Sequence, residues 1–166
     1  MARSVNRPDD IQIGRLHYDE VKERYLFLAL FGPSCTDKSR LARHLFGDER
    51  TLVVDVQHAE HPDMRAYNRS IHPALLLDEV SSPKFAGGNK KLFLSHVDGA
   101  RLGQSATQLF AYEVFLWRTP IMLTTNNWKY DDYTDSDKNW LDANCVAVHI
   151  LEKVFETGSF VSAVAG

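Results

Sequence analysis

The sequence lacks the features that mark secreted, disulfide-rich or membrane-spanning proteins. Its two cysteines, Cys35 and Cys145, are far apart and support neither a disulfide framework nor a zinc site, which favours a reducing compartment. The first residues contain no apolar segment of the kind found in signal peptides. The longest apolar run, at 25–31, is too short to cross a bilayer. These absences predict a soluble intracellular protein of the cytoplasm or nucleus, with no membrane partner.

An excess of positive charge is missing as well. The formal net charge is -3 at pH 7 and the pI is about 6.1, so the chain as a whole has no nucleic-acid-binding signature. Binding to nucleic acid would therefore need a local basic patch. The remaining composition is ordinary, because 44% of the 166 residues are hydrophobic and 25% are charged. This length and composition predict one domain with one core.

Apolar runs alternate with polar and helical segments along the chain. The strand candidates lie at 25–31, 51–56, 73–80, 120–127 and 146–151. Such alternation predicts an α/β fold with a mostly parallel central sheet flanked by helices. The predicted division is a polar leader at 1–24, helical near 18–24, a core at 25–151 and a C-terminal tail at 152–166.

A phosphate-loop pattern follows the first strand candidate. Residues 32–39, here called the phosphate loop, nearly fit G-x-x-x-x-G-K-[ST]. In such a loop, backbone N–H groups and a helix N-terminus surround the phosphates of a nucleotide. Lys38 would neutralise the β- and γ-phosphates, and the Ser39 hydroxyl would be a ligand of Mg²⁺. The predicted nucleotide-binding residues are Gly32, Pro33, Ser34, Cys35, Thr36, Asp37, Lys38 and Ser39.

Asp37 is the mismatch, because the pattern has glycine at this position. The position usually needs a positive φ, which Asp is among the few side chains to tolerate. A carboxylate about 6 Å from a phosphate charge costs roughly 3 kcal/mol at an effective dielectric of about 20. Because Lys38 and Mg²⁺ would offset part of this, we expect weakened binding and not its loss. The alternative is a helix cap with Asp37 at the N-cap, which needs no nucleotide.

Two further strand candidates end in polar residues. Asp78 and Glu79 follow an apolar run, and we expect Asp78 to hold Mg²⁺ through water and Glu79 to polarise the attacking water. Asn126 ends another, where its amide can bond a phosphate oxygen and orient water. Taken alone, the end at Asp78 and Glu79 is also typical of a surface turn, and the end at Asn126 is more typical of an Asx-turn that closes the strand. Ligands of open α/β sheets bind outside the carboxyl ends of the strands, so the three ends can converge on one ligand.

Together, these three segments resemble motifs A, B and C of superfamily 3 helicases, in the ATPase part of viral and plasmid replication-initiator (Rep) proteins. The resemblance covers roughly residues 25–150. It implies an AAA+-like P-loop NTPase, a homo-hexameric motor that hydrolyses ATP with Mg²⁺ and moves 3′ to 5′ along single-stranded DNA. It also implies the roles given above for Lys38, Ser39, Asp78, Glu79 and Asn126.

The chain departs from the family in three places. Asp37 interrupts motif A. Residues 103–118, where the family has a basic DNA-contacting hairpin, contain Arg118 but no lysine. The aromatic residues of this segment could stack on bases, but they are interpreted as core residues of a hairpin; they are Phe110, Tyr112, Phe115 and Trp117. No arginine follows Arg118, although the family has an arginine finger after motif C, and Lys138 offers only a point charge.

These departures leave three functions open. The first is an ATPase coupled to single-stranded DNA. The second is a catalytically degenerate P-loop domain that acts as a non-enzymatic binding or interaction module. A P-loop kinase of small substrates is less favoured, because its lid needs arginines that the segment after the core lacks.

Overall fold

A parallel β-sheet forms the centre of this computed structural model, which describes residues 3–4, 18–19, 24–94, 100–104, 112–116, 119–129, 133–156 and 159–160. In chain order, its elements are β1 (Arg3–Ser4), β2 (Tyr18–Asp19), β3 (Arg24–Tyr25), β4 (Phe27–Phe31), α1 (Lys38–Phe46), a 3-10 turn (Asp48–Arg50), β5 (Thr51–Asp55), β6 (Ala74–Asp78), α2 (Lys84–Gly88), α3 (Lys90–Phe93), β7 (Ala100–Gln104), β8 (Tyr112–Leu116), β9 (Ile121–Thr125), α4 (Asp135–Asn144), β10 (Cys145–His149), β11 (Phe155–Glu156) and β12 (Ser159–Phe160).

The central sheet has six strands in the order β1-β10-β4-β9-β6-β5, and every neighbouring pair is parallel. β9 lies between β4 and β6, so that Met122 is in register with Leu28 on one side and Leu76 on the other. The carboxyl ends of these three strands therefore lie next to one another. The predicted α/β fold with a mostly parallel sheet flanked by helices is confirmed.

Both faces of the sheet are covered, which explains why its central strands are continuous apolar runs. On one face, Leu28 and Leu30 of β4 pack in a core cluster that includes Leu41 and Leu45 of α1. On the other face, Phe27 packs in a second cluster, where its ring centroid lies 4.4 Å from that of Phe93. α1 thus packs on the sheet directly after the phosphate loop and fixes the position of that loop.

The predicted helix at 18–24 is wrong for the residues that the structure describes there. Tyr18–Asp19 and Arg24–Tyr25 pair as antiparallel strands. A helix this short is marginal without a packed apolar face, and this polar segment offers no apolar stripe. The rest of the predicted leader, residues 1–2, 5–17 and 20–23, lies outside the described residues.

The packed structure continues beyond the predicted core boundary at residue 151. Val154 and Phe155 are buried in the same core cluster as α1. β11 and β12 then pair antiparallel, with Phe155 opposite Phe160. Residues 157–158 and 161–166 of the predicted tail lie outside the described residues. Within the part of the chain that the structure describes, no helix is both long and apolar enough to cross a bilayer.

Candidate nucleotide-binding site

A cleft of about 480 Å³ lies at the carboxyl edge of the sheet, beside the phosphate loop. Three of the residues that line it, Cys35 (φ 61°), Asp37 (φ 63°) and Glu79 (φ 62°), have left-handed backbone conformations. They are all the non-glycine residues with positive φ in the described ranges. Unusual backbone conformations that cluster at one place are typical of functional sites. The cleft is lined by Ser34, Cys35, Thr36, Asp37, Lys38, Ser39, Arg40, Arg43, Glu79 and Asn126.

The phosphate loop closes on the side chain of Lys38, which is only 7% exposed. Its Nζ donates hydrogen bonds to the carbonyl oxygens of Gly32 (3.0 Å) and Pro33 (2.6 Å) and to Thr36 Oγ1 (3.3 Å). Thr36 Oγ1 in turn donates to the Pro33 carbonyl at 2.9 Å. Burial lowers the pKa of Lys38, and the nearby Glu79 and Asp78 carboxylates oppose that shift. The loop therefore holds a buried cation with neutral oxygen atoms.

Gly32 begins the phosphate loop in a conformation that only glycine readily adopts, with φ 149°. A Cβ atom there would lie 2.0 Å from the carbonyl oxygen of Ile150, at the end of the neighbouring strand β10. Backbone hydrogen bonds hold the same place, from Gly32 N to Thr125 O (3.3 Å) and from Ile150 N to Phe31 O (2.8 Å). The first glycine of the pattern is thus required by the close approach of the loop to β10.

Asp78 connects three elements beneath the cleft. Its Oδ1 accepts hydrogen bonds from Ser39 Oγ of α1 (2.5 Å) and from Thr124 Oγ1 of β9. Thr124 Oγ1 also accepts from the backbone N–H of Glu79 at 3.1 Å, where the chain turns out of β6. Ser39 and Asp78, the two predicted ligands of Mg²⁺, are therefore in direct contact. Thr124 was not among the predicted site residues, because its only signal in the sequence is a hydroxyl within an apolar strand.

The two remaining predicted residues, Glu79 and Asn126, both line the cleft. Glu79 is exposed and lines the cleft, and within the described ranges its hydrogen bonds hold the backbone and not the carboxylate. Asn126 follows β9, and its Nδ2 donates to Ser34 Oγ at 3.2 Å. The amide of Asn126 thus reaches across to the phosphate loop, as expected from the position of β9 beside β4.

Asp37 has the positive φ that its place in the pattern requires. It occupies the N-cap position of α1, but its side chain makes no capping hydrogen bond, so the alternative of a simple helix cap is not supported. Its Oδ2 instead accepts a long hydrogen bond, 3.4 Å, from the backbone N–H of Phe155. Its side chain therefore has a partner outside the phosphate loop.

The hairpin predicted within residues 103–118 is present in the described residues. β7 and β8 pair as an antiparallel hairpin, in which Val114 and Leu116 are buried and Phe115 is 45% exposed. The interpretation as a core residue is therefore wrong for Phe115, because it alternates with the two buried side chains and faces outward. It is confirmed for Tyr112, which packs against the core cluster that contains Phe27, and Phe110 and Trp117 lie outside the described residues. Residues 105–111 and Arg118 lie outside the described residues.

The cleft brings together a buried ammonium group, a hydroxyl–carboxylate pair, an amide and an exposed carboxylate. Two guanidinium groups of the lining, those of Arg40 and Arg43, were not predicted. Both residues lie in α1, directly after the phosphate loop. This set can bind an oxyanion together with a hard cation. A comparison of the sequence with models of known protein families found no match, and a comparison with curated proteins found none either.

Proposed function

We propose that the chain is an ATP-binding, helicase-like P-loop NTPase domain related to viral and plasmid replication initiators. ATP would occupy the cleft with its phosphates on the phosphate loop. The observation that carries the proposal is the buried ammonium group of Lys38, whose partners are neutral oxygen atoms only. Among the described residues, no carboxylate forms an ion pair with it within 4 Å. A buried charge with no carboxylate in direct contact is unfavourable, and an anion such as a phosphate relieves that cost.

The backbone of the phosphate loop supports an anionic ligand as well. Left-handed residues within a loop, here Cys35 and Asp37, are typical of concave sites where successive N–H groups point at an anion. Arg40 and Arg43 carry further positive charge along the same wall. A triphosphate is the ligand that matches several donors and cations arranged along one loop.

Ser39 and Asp78 fit Mg²⁺. Their oxygen atoms are 2.5 Å apart, one on a hydroxyl and one on a carboxylate. In the part of the chain that the structure describes, no three His, Cys, Asp or Glu side chains form a metal-binding group. That suits Mg²⁺, which is usually held by one or two protein oxygen atoms together with phosphates and water. When bound, Mg²⁺ would neutralise negative charge on the phosphate oxygens.

Glu79 and Asn126 have the chemistry that hydrolysis needs. The Glu79 carboxylate can accept a proton from a water molecule in the cleft and orient that water, while Thr124 fixes the backbone of Glu79. The amide of Asn126, which now donates to Ser34, can donate to a phosphate oxygen instead. Positioning and charge stabilisation would be the main catalytic effects.

The proposed coupling to single-stranded DNA, and assembly as a homo-hexamer, rest on the resemblance. The hairpin of β7 and β8 adds one observation in favour, because an exposed aromatic ring such as Phe115 can stack on a base. Its neighbour Glu113 is exposed and acidic, which opposes contact with DNA phosphates.

A second function, a catalytically degenerate P-loop domain that acts as a non-enzymatic interaction module, is favoured by two observations. Asp37 replaces a glycine in the phosphate loop, and its carboxylate contacts the C-terminal segment. The sequence also has no arginine after Arg118 that could stabilise charge during hydrolysis. Such a module would keep the cleft without turnover of ATP.

Calorimetric titration with ATP, in the presence and absence of Mg²⁺, tests the proposed nucleotide site. The variants are Lys38→Ala and, as the matched control, Lys91→Ala, which removes an exposed lysine of α3 outside the cleft. We expect Mg²⁺-dependent binding by the wild type and by Lys91→Ala, and its loss in Lys38→Ala. Undiminished binding by Lys38→Ala would contradict the proposal.

Turnover then separates the two functions. ATP hydrolysis that single-stranded DNA stimulates supports the helicase-like domain, whereas binding without hydrolysis supports the interaction module. If Asp37→Gly binds ATP but wild type does not, the Asp37 carboxylate prevents nucleotide binding at this site. This outcome also favours the interaction module.

A further inference from the structure

The segment after β10 returns to the phosphate loop at Phe155. The backbone N–H of Phe155 donates to Asp37 Oδ2 at 3.4 Å. The guanidinium carbon of Arg40 lies 4.3 Å from the centroid of the Phe155 ring, a cation–π distance. The His44 ring meets the same ring edge-on, with centroids 5.9 Å apart. One residue of the C-terminal segment thus contacts both the phosphate loop and α1.

These contacts belong to a packed interface between the C-terminal segment and α1. Val154 is 2% exposed and Phe155 is 8% exposed, and both belong to the core cluster that contains Leu41 and Leu45 of α1. Arg40 and His44 are four residues apart and therefore share one face of the helix. The C-terminal segment contacts that face through Phe155, although Arg40 and His44 stay exposed to solvent, and the contact with Asp37 extends the interface to the phosphate loop.

Asp37 and Lys38 are adjacent in sequence, but their side chains have different partners. Lys38 Nζ bonds to carbonyl oxygens inside the loop, whereas Asp37 Oδ2 accepts from Phe155. No ion pair within 4 Å joins these two side chains. The Asp37 carboxylate thus has a partner other than the ammonium group that would meet the phosphates.

We propose that Asp37 is a positioning residue that ties the phosphate loop to the C-terminal segment through Phe155. This inference rests on the proposed nucleotide site and deepens it. The carboxylate that replaces glycine is held by the backbone of Phe155 and does not face the phosphates. The left-handed conformation of Asp37 and the docked position of residues 154–156 then support each other. A ligand that orders the phosphate loop also orders the C-terminal segment.

Hydrogen exchange at the backbone amide of Phe155, measured by NMR with and without Mg²⁺-ATP, tests the connection. Wild type is compared with Asp37→Asn, which keeps an oxygen acceptor without the charge, and with Asp37→Gly, which keeps the backbone conformation without the side chain. We expect ATP to slow exchange at Phe155 at least several-fold in wild type and in Asp37→Asn, and this protection to be lost in Asp37→Gly. In addition, exchange in the absence of ATP is expected to be faster in Asp37→Gly than in Asp37→Asn.

The affinity of the same variants for ATP provides a result that could overturn the inference. If the carboxylate faced the phosphates, removal of its charge would tighten binding by about a hundredfold in Asp37→Asn and Asp37→Gly alike. That result, or full ATP-induced protection of Phe155 in Asp37→Gly, would overturn the inference. Absence of ATP binding in all three proteins would instead overturn the proposed function, and the coupling with it. Exchange without ATP still reports on the contact between Asp37 and Phe155 in that case.

Discussion

Among single residues, Lys38 has the least usual surroundings, since its ammonium group is buried among carbonyl oxygens. Burial lowers its pKa below the ordinary 10.5. Between that lowered value and 10.5, the unfolded chain binds more protons at this lysine than the folded chain does. Stability therefore rises with pH across this window, as the folded protein is relieved of its buried charge.

The first prediction compares wild type with Lys38→Met by urea unfolding at several alkaline pH values. Through this window the free energy of unfolding of wild type should rise relative to that of Lys38→Met, which has no ammonium group to neutralise. Lys91→Met, at an exposed position, serves as the control and should follow wild type. If the free energies of unfolding of wild type and Lys38→Met changed in parallel with pH, Lys38 would not be buried as a cation.

Cys35 provides a native reporter of the cleft. Its thiol is exposed on the phosphate loop, whereas burial raises the pKa of Cys145 well above its usual value and suppresses the reactive thiolate there. We predict that iodoacetamide alkylates Cys35 much faster than Cys145, and that Mg²⁺-ATP slows the reaction of Cys35 at least several-fold. Mass spectrometry of each cysteine peptide measures both rates. In Lys38→Ala the protection by ATP should be absent, and an unchanged rate in wild type would contradict a ligand on the loop.

At the scale of elements, the contact of the phosphate loop with β10 fixes the position of the loop. Gly32→Ala would place a Cβ atom 2.0 Å from the Ile150 carbonyl oxygen, at a φ of 149° that alanine rarely adopts. We predict a loss of about 3 kcal/mol or more in the free energy of unfolding, as expected when backbone atoms must move. Urea unfolding measures it. Gly88→Ala is the matched control, because its Cβ meets nothing within 4 Å, and it should change stability by less than about 1 kcal/mol.

The hydroxyl of Thr124 joins β9 to β6, because it donates to Asp78 and accepts from the Glu79 N–H. Thr124→Val keeps the shape and removes both bonds, leaving a backbone N–H without its acceptor. We predict a loss of about 1–3 kcal/mol in stability and a larger decrease in the rate of ATP hydrolysis than in ATP affinity, since Glu79 loses its fixed position. Thr51→Val serves as the control. Thr51 lies in the outer strand β5, and its buried hydroxyl donates a hydrogen bond to the carbonyl oxygen of Gly47, which the substitution removes. It should lower stability without changing hydrolysis, and equal effects of the two variants on hydrolysis would contradict the role of Thr124.

The same elements show what the sequence could and could not predict. The strands β4, β6 and β9 were predictable, because a sheet that is buried on both faces needs continuous apolar runs. The role of Thr124 was not, because it depends on β9 lying between β4 and β6, and strand order is not encoded in local periodicity. The partner of Asp37 was equally hidden, since Phe155 is distant in sequence. At 18–24, local propensity suggested a helix, but strand pairing prevailed.

At the scale of the whole molecule, the two core clusters on the faces of the sheet stabilise the fold without using the cleft. The polar residues at the edge belong to neither core cluster: they are the buried Lys38, the arginines Arg40 and Arg43, and the exposed Glu79 and Asn126. Polar side chains that gain little free energy from folding gain more from contact with a ligand. The edge of the sheet is therefore the place where a bound nucleotide should contribute most to global stability.

The last prediction follows from this separation of core and cleft. A ligand that binds only the folded state at a hundred times its dissociation constant stabilises it by about 2.7 kcal/mol. For a domain of this size, this corresponds to a rise in melting temperature of about 5–10 °C. We expect Mg²⁺-ATP at saturating concentration to produce that shift in wild type and in Lys91→Ala, as measured by thermal unfolding followed by circular dichroism. Lys38→Ala should show no shift, because it lacks the buried cation that the proposed site provides for the phosphates. A shift of equal size in Lys38→Ala would mean that ATP binds elsewhere on the molecule, and the phosphate loop would lose its proposed role.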